Sequence, residues 1–369
     1  MPTLVKRLIA ALVIVLLLVA FNEYMSDAGL FGFGVPPYYG RVIMLAGINV
    51  ILAVSLNLIT GFTGQFSIGH AGFMAVGAYA SAYLTVYHAQ SWERSLAATL
   101  GVSVAHALIF LLAILVGALV AAIAGLIVGI PSLRLRGDYL AIVTLGFAEI
   151  IRIVILNIDK VGGATGFTVP GYTNFFWVGA FAVLTILIVY NIVHSDAGRA
   201  LISIREDELA AEAMGINTTR YKVLSFVISS ALAGMAGVLF GHYTQFLSTN
   251  DFQFIRSFEI IIMIVLGGMG SLTGAVFGAI VITLLPEALR KLPGDFSQYR
   301  LVVYSALLIL IMLTRPQGIL GTREFGLSWL KRAQRQPEGS KTRGGTKGVP
   351  IAEQAGPSAI DRNKEIENR

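Results

Sequence analysis

The chain has 369 residues, 56% of them hydrophobic and 13% charged, with a formal net charge of +6. Soluble domains carry roughly 25% charged residues, so this composition excludes a soluble protein; long apolar runs make it an all-α integral membrane protein. The absence of cysteine excludes disulfides, thiolate metal sites and cysteine nucleophiles together. The basic excess lies at span borders and in the tail, as the positive-inside rule expects, and does not call for nucleic acid.

Lys6 and Arg7 precede an apolar run from Leu8 to Phe21. A signal peptide would start the same way, but the bulky Phe21-Asn22-Glu23-Tyr24 that follows offers no small-x-small cleavage site. The run is expected to remain as a first span, with its N-terminus in the cytoplasm. Asn22 to Gly40 holds Glu23, Asp27, Pro36 and Pro37 without Lys or Arg, as an outside loop should. Val42 to Trp92 then contains no Asp, Glu, Lys or Arg. That is too long for one crossing, because a hydrocarbon core of ~30 Å takes about 20 helical residues. The break falls at Gly61-Phe-Thr-Gly-Gln-Phe-Ser-Ile-Gly-His70, with one span ending near Thr60 and another running from Ile68 to Tyr87.

Ser95 to Leu133 is again free of charge. A helix from Ala97 to Gly129 would be ~50 Å long, so it must tilt, kink or project; Pro131 ends it. Arg134 and Arg136 mark a cytoplasmic loop, and Asp138 is expected to cap a helix from Tyr139 to Asn157. Asp159 to Thr173 reads as a polar outside loop and Phe176 to His194 as the crossing back. Ser195 to Lys222 is the one long polar segment inside the apolar body. Val223 to Phe246 crosses out, and Ser257 to Leu289 reads as two short helices meeting at Gly267-Gly-Met-Gly-Ser-Leu-Thr-Gly274. The last span is Leu301 to Leu320. Arg315, Arg323, Lys331, Arg332 and Arg335 then place the tail in the cytoplasm, which requires an even number of crossings, about ten. Arg290, Lys291 and Arg300 fall outside in this scheme, against the usual charge rule.

Residues 1–322 therefore read as one transmembrane domain with a cytoplasmic loop at 195–222, and 323–369 as a disordered cytoplasmic tail, too polar to bury a core. Gly339-Ser-Lys-Thr-Arg-Gly344 looks like a phosphate loop, but Gly345 stands where its lysine is required. The chain is expected to hold no nucleotidase and no cofactor.

In the polar segment, Glu206, Asp207 and Glu208 suit a helix N-terminus, where the macrodipole is positive. Leu209, Ala210, Ala211, Glu212, Ala213 and Met214 are mostly good helix formers, and Gly215 can close the helix in the left-handed conformation. The sequence thus predicts a surface helix from Glu206 to Gly215, with Leu209, Ala213 and Ile216 as an apolar stripe. By physics alone it is either an ordinary interfacial helix or a partner contact.

Within the spans, Glu149 and Arg152 are three apart and can pair. His70 and His106 are expected as packed hydrogen-bonding side chains, and Glu259 as an end-cap acid. Gly69, Gly72 and Gly77, with Ala71, Ala75 and Ala78, give one helix small faces that neighbours can approach closely. Transporters build midplane sites from discontinuous helices, so Asn57, Gln65, Ser67, His70, Gly268 and Ser271 at the two glycine turns are candidates to line a path. Hydrogen bonds from Asn57 and Gln65 to the broken backbone, or packing alone, would explain the same residues. No metal site is expected. An intramembrane enzyme would need paired catalytic groups, and no Gly-x-Ser-x-Gly, His-Glu-x-x-His or acid pair lies in the spans.

Glu-Leu-Ala-Ala-Glu-Ala-Met-Gly-Ile-Asn (208–217) resembles the coupling segment of ABC importer permeases. Thr60-Gly-Phe-Thr-Gly-Gln-Phe-Ser-Ile-Gly-His-Ala-Gly-Phe-Met-Ala-Val-Gly-Ala-Tyr79, Leu133-Arg-Leu-Arg-Gly-Asp-Tyr-Leu-Ala-Ile-Val-Thr-Leu-Gly-Phe147, Gly267 to Gly274 and Arg315-Pro-Gln-Gly318 resemble the permeases of branched-chain amino acid importers, LivM-type subunits above all. The resemblance covers most of residues 40–320. It implies a type II-like importer permease fold and a bacterial inner-membrane location. The implied partners are a LivH-type permease, two cytoplasmic ATPase subunits that use ATP, and a periplasmic binding protein delivering leucine, isoleucine or valine. It assigns ATPase coupling to Glu206, Glu208, Leu209, Ala210, Ala213, Met214 and Gly215. Permeases for urea or short-chain amides are similar in sequence and form the alternative. An autonomous secondary carrier would have no use for a coupling helix.

Overall fold

The computed structural model describes residues 15–23, 36–132, 135, 137–290 and nine positions between 302 and 321. The start of the first span, the whole of 24–35, Leu133, Arg134, Arg136, the 291–300 loop, most of the last span and the tail lie outside the described residues.

Two helices form the centre. One, α1 (Pro37–Asn57), starts on a proline whose missing N–H costs nothing at the first helical position and continues through a π-turn, Leu58–Phe62. Together they bury 78% of their most apolar window. The other is α9 (Thr218–Thr244), at 67%. Around them stand α2 (His70–Tyr87), α4 (Val102–Ser132), α5 (Asp138–Leu156), α6 (Phe175–Val193), α10 (Phe254–Gly267) and α11 (Leu272–Arg290). The remaining helices are α3 (Ala89–Leu100), α7 (Asp196–Glu206) and α8 (Glu208–Ala213). Four of the surrounding helices, α4, α5, α6 and α11, bury only 22–33% of their apolar windows, as lipid-facing helices would. Six helices among the described residues are long and apolar enough to cross a membrane. The shorter α2 and α10 and the helical residues at 15–23 and near 302–314 bring the architecture close to the expected ten.

Small residues set the spacing. A Cβ on Gly77 would lie 2.2 Å from the Gly234 carbonyl oxygen, one on Gly237 2.0 Å from that of Met74, and one on Gly72 2.8 Å from Ala148 Cα. The small faces expected on α2 are where α9 and α5 press against it.

Several boundaries differ from expectation. The Ala97–Gly129 helix is two helices, because Gly101 at φ 86° lets α3 fold back along α4. The chain continues past Pro131 to Ser132, as a proline in the last turn permits. Gly137, not Asp138, is the residue before α5, and Asp138 sits in the first turn. The 159–173 loop carries a strand, β1 (Phe167–Thr168), paired antiparallel with β2 (Phe246–Leu247) just after α9. Finally, α9 begins at Thr218 rather than Val223, with Asn217 Oδ1 accepting from Arg220 N. Lys222 is no boundary because Glu208 pairs with it at 2.6 Å.

The bundle has two distinguishable ends. At one, Tyr38 at the start of α1 bonds Glu287 near the end of α11, and Tyr87 Oη donates to Lys160 O at 2.8 Å. At this end His106 pairs with Glu93 and its side chain is 44% exposed, so it is not the packed histidine expected on an apolar helix. Tyr172 Oη donates to the same carboxylate at 3.3 Å; burial, and then Glu93, push its hydroxyl up to about 12. At the other end lie the α6–α9 loop and both glycine turns.

Candidate functional site

The polar segment is two helices, not one. Ser195 Oγ accepts from Gly198 N to start α7, whose Leu201 and Ile204 are buried. Asp207 is extended (φ −156°), and its Oδ1 accepts from Leu209 N at 2.9 Å and Ala210 N at 3.1 Å, capping α8. Glu206 therefore closes α7 instead of opening the surface helix, and its carboxylate takes the Arg205 guanidinium at 2.6 Å. At the far end Gly215 sits at φ 84°, its N–H on Glu212 O, while Ile216 N–H reaches Ala211 O. That is the left-handed closure expected of a glycine there.

Two further bonds fix α8 to the base of α9. Glu208 holds Lys222, and Thr218 Oγ1 donates to Glu212 Oε1 at 2.6 Å. What remains free is an apolar tip: Leu209 is 64% exposed, Met214 82%, and Ala210 and Ala213 are exposed beside them. Ala211 is the residue buried underneath, and Ile216 is half-buried.

Above the tip, Arg205 joins the loop to both glycine turns. Its Nη1 donates to Gly61 O at 3.0 Å. A Cβ on Gly64 would meet Arg205 Cγ at 2.8 Å, and one on Gly270 would meet Nη1 at 2.8 Å. The turns also grip one another. Gly270 N donates to Asn57 Oδ1 and Asn57 Nδ2 donates to Ser271 O, both at 3.0 Å. A Cβ on Gly61 would lie 2.4 Å from Gly270 N. Gly268, at φ 116°, packs on Gly318 and Gly321, and Ile319 N donates to Leu266 O at 2.8 Å.

Asn57, Gly268 and Ser271 are thus brought together at the loop end of the bundle, not at its middle, because α1 runs the full length before Gly61. Asn57 hydrogen-bonds broken backbone, but that of the other turn. Gln65, Ser67 and His70 follow along the unwound stretch that packs on Thr144, where Ile68 N donates to Thr144 Oγ1. His70 Nε2 lies 2.8 Å from Ser55 Oγ, and the Gln65 side-chain amide is buried without a protein partner. Glu149 and Arg152 pair at 2.7 Å as expected. Glu259 is not a cap: α10 starts at Phe254, and the carboxylate takes Arg256 at 2.7 Å. Sequence reading missed Arg205; its one visible signal is a lone cation directly before three acids.

The family described as "Branched-chain amino acid transport system / permease component" matches residues 38–312. The chain belongs to that family. It is 34% identical over 309 residues to the high-affinity branched-chain amino acid transport system permease protein LivM of Salmonella typhimurium, covering 74% of this chain and 68% of that one. The Escherichia coli LivM protein is 33% identical over 315 residues, 76% of this chain and 69% of that one. The LivH permease of Escherichia coli is also similar, 37% identical over 148 residues, 40% of this chain and 47% of that one. The glycine turns, α7, α8 and all six long apolar helices lie within the matched region.

Proposed function

We propose that this chain is the permease subunit of an ATP-driven importer for leucine, isoleucine and valine, and that it forms the translocation path with a second, LivH-type permease. The observation that carries the coupling half of this reading is Arg205. It bonds Gly61 O in one glycine turn and lies against Gly270 of the other, while Asp207, two residues on, caps the exposed apolar helix.

The parts follow from that connection. A cytoplasmic ATPase receives Leu209, Ala210, Ala213 and Met214 in a groove, as an apolar ridge on a short helix suits. Glu208, with Lys222, and Gly215 keep the helix stiff, so a push on its tip moves α7 as well. Glu206 orients the Arg205 guanidinium, which carries the displacement to the Gly61 and Gly270 turns. Interfaces of this kind switch between discrete arrangements instead of deforming smoothly. ATP is bound and hydrolysed by the two partner ATPases, and a periplasmic binding protein presents the amino acid at the opposite end. The loop end then faces the cytoplasm of a bacterial inner membrane, with both chain termini on that side.

Reconstitution of the complete importer in vesicles tests this. Leucine uptake that requires ATP and is competed by isoleucine and valine is expected. Urea or short-chain amide uptake without leucine uptake would move the assignment to that solute class, and uptake without ATP would overturn the coupling.

A further inference from the structure

Half-way along the bundle, three helices bring polar side chains together at a depth where hydrocarbon would be their natural surroundings. Arg256 of α10 donates through Nη2 to Asn49 Oδ1 and through Nη1 to Glu259 Oε2, each at 2.7 Å. Asn49 Nδ2 donates in turn to Thr283 Oγ1 of α11 at 2.8 Å. Depth can be counted from the loop end. Asn49 precedes the end of α1 by eight residues, Arg256 precedes Gly267 by eleven, and Thr283 follows Leu272 by eleven. At ~1.5 Å per residue, all three lie ~12–17 Å from the glycine turns, close to the middle of a ~30 Å hydrocarbon core. A second ion pair adjoins them: Glu149, paired with Arg152 on α5, accepts from Phe254 N through its other oxygen at 3.2 Å.

The cluster is not sealed. The Glu259 side chain is 43% exposed and that of Arg256 20%. It shares the uncovered face of α10 with Ile255 and Phe258, both exposed, and with the half-buried Ile262. Ionisable groups at membrane depth are costly and face the bundle interior or a watery cavity, not lipid. This face of α10 therefore looks onto protein or water.

We infer that the Arg256–Glu259 face of α10 lines the translocation path and holds the transported α-amino acid by its charged head. The inference rests on the amino-acid permease reading above. A zwitterion needs a cation for its carboxylate and an anion for its ammonium a few ångströms apart, and the Arg256–Glu259 pair presents both. Arg256 offers the planar fork that matches a carboxylate, and Asn49, itself held by Thr283, fixes its orientation. With no cargo the two side chains neutralise each other, so the empty path carries no unpaired charge. Cargo enters by exchanging that pair for two new ones, which keeps binding weak enough for release. Ile255, Phe258 and Ile262 give an aliphatic side chain an apolar wall.

The test uses the complete reconstituted importer. Arg256→Gln and Glu259→Gln should each lower leucine uptake roughly tenfold or more, the loss expected when one partner of a charge pair is removed, while ATPase activity of the assembled complex persists. Ile255→Cys and Ile262→Cys, otherwise wild-type, are read separately with a charged, water-soluble thiol reagent. Both should label, and saturating leucine should slow the labelling. Absence of labelling in either, or unchanged leucine uptake in both charge variants, would overturn the inference alone, provided the wild-type importer carries leucine. A wild-type importer that carries no amino acid would overturn both this inference and the permease reading.

Discussion

Arg205→Ala is the perturbation that separates a coupling strut from an ordinary surface arginine. The ion pair with Glu206 contributes little, because Glu206 is 68% exposed and Arg205 31% exposed, and such pairs are worth ~0–1 kcal/mol. The bond to Gly61 O matters more, since Gly61 is buried. A hydrogen bond from a charged donor is worth ~1.5–3 kcal/mol, and a buried carbonyl left unpaired costs ~1–3 kcal/mol. Taking ~2 kcal/mol as the linkage lost, transmission between α7 and the turns falls by up to roughly thirty-fold, since a contact can shift an equilibrium only by its own differential energy. The assay is leucine transported per ATP hydrolysed in vesicles. Arg205→Ala should keep ATP hydrolysis and lose transport, and Arg205→Lys should be intermediate, because an ammonium supplies a point charge without the guanidinium fork. Wild-type stoichiometry in Arg205→Ala would refute the strut.

Asn57→Leu leaves Gly270 N without its partner and takes one of two donors from Ser271 O, which keeps Ala275 N; at ~1–3 kcal/mol for a buried group left unpaired, the melting temperature in detergent should fall, and an unchanged melting temperature would contradict the clamp between turns. Gly215→Pro removes the N–H that bonds Glu212 O and cannot reach φ 84°, a cost of ~3 kcal/mol or more. Gly215→Ala meets no atom within 4 Å and incurs only the left-handed strain of ~1–2 kcal/mol. Uptake assays should find the alanine variant active and the proline variant inserted but uncoupled. Leu209→Asp combined with Ala213→Asp alters exposed positions only, so the permease should fold normally yet fail to retain its ATPase in co-purification; full retention would count against the tip as the contact.

The breaks at Gly61 and Gly267 were legible because several helix-breaking residues cluster in an otherwise uninterrupted apolar run. Gly101 was not, because one glycine among alanines and leucines does not announce whether its φ will be positive. The helix 208–213 was legible from its formers and from Gly215, but three consecutive acids suit a cap equally. Only the fold decides that Asp207 is the extended one, with Arg205 held by Gly61 on one side and Lys222 holding Glu208 on the other. Asn57 shows the limit most clearly. Its polarity in an apolar span marked it, but its partners lie 213 and 214 residues away, and no local pattern reveals which backbone it serves. The same holds for Asn49 and Arg256, 207 residues apart, and for the two-residue pairing of β1 with β2.

That the 208–215 tip faces the cytoplasm and meets an ATPase is tested most directly by Met214→Cys, in a chain with no other cysteine. Met214 is 82% exposed, so a membrane-impermeant maleimide should label it in inside-out vesicles and not in right-side-out ones. Adding the ATPase subunits should block the reaction. Labelling from the outer face, or labelling unaffected by bound ATPase, would contradict the assignment.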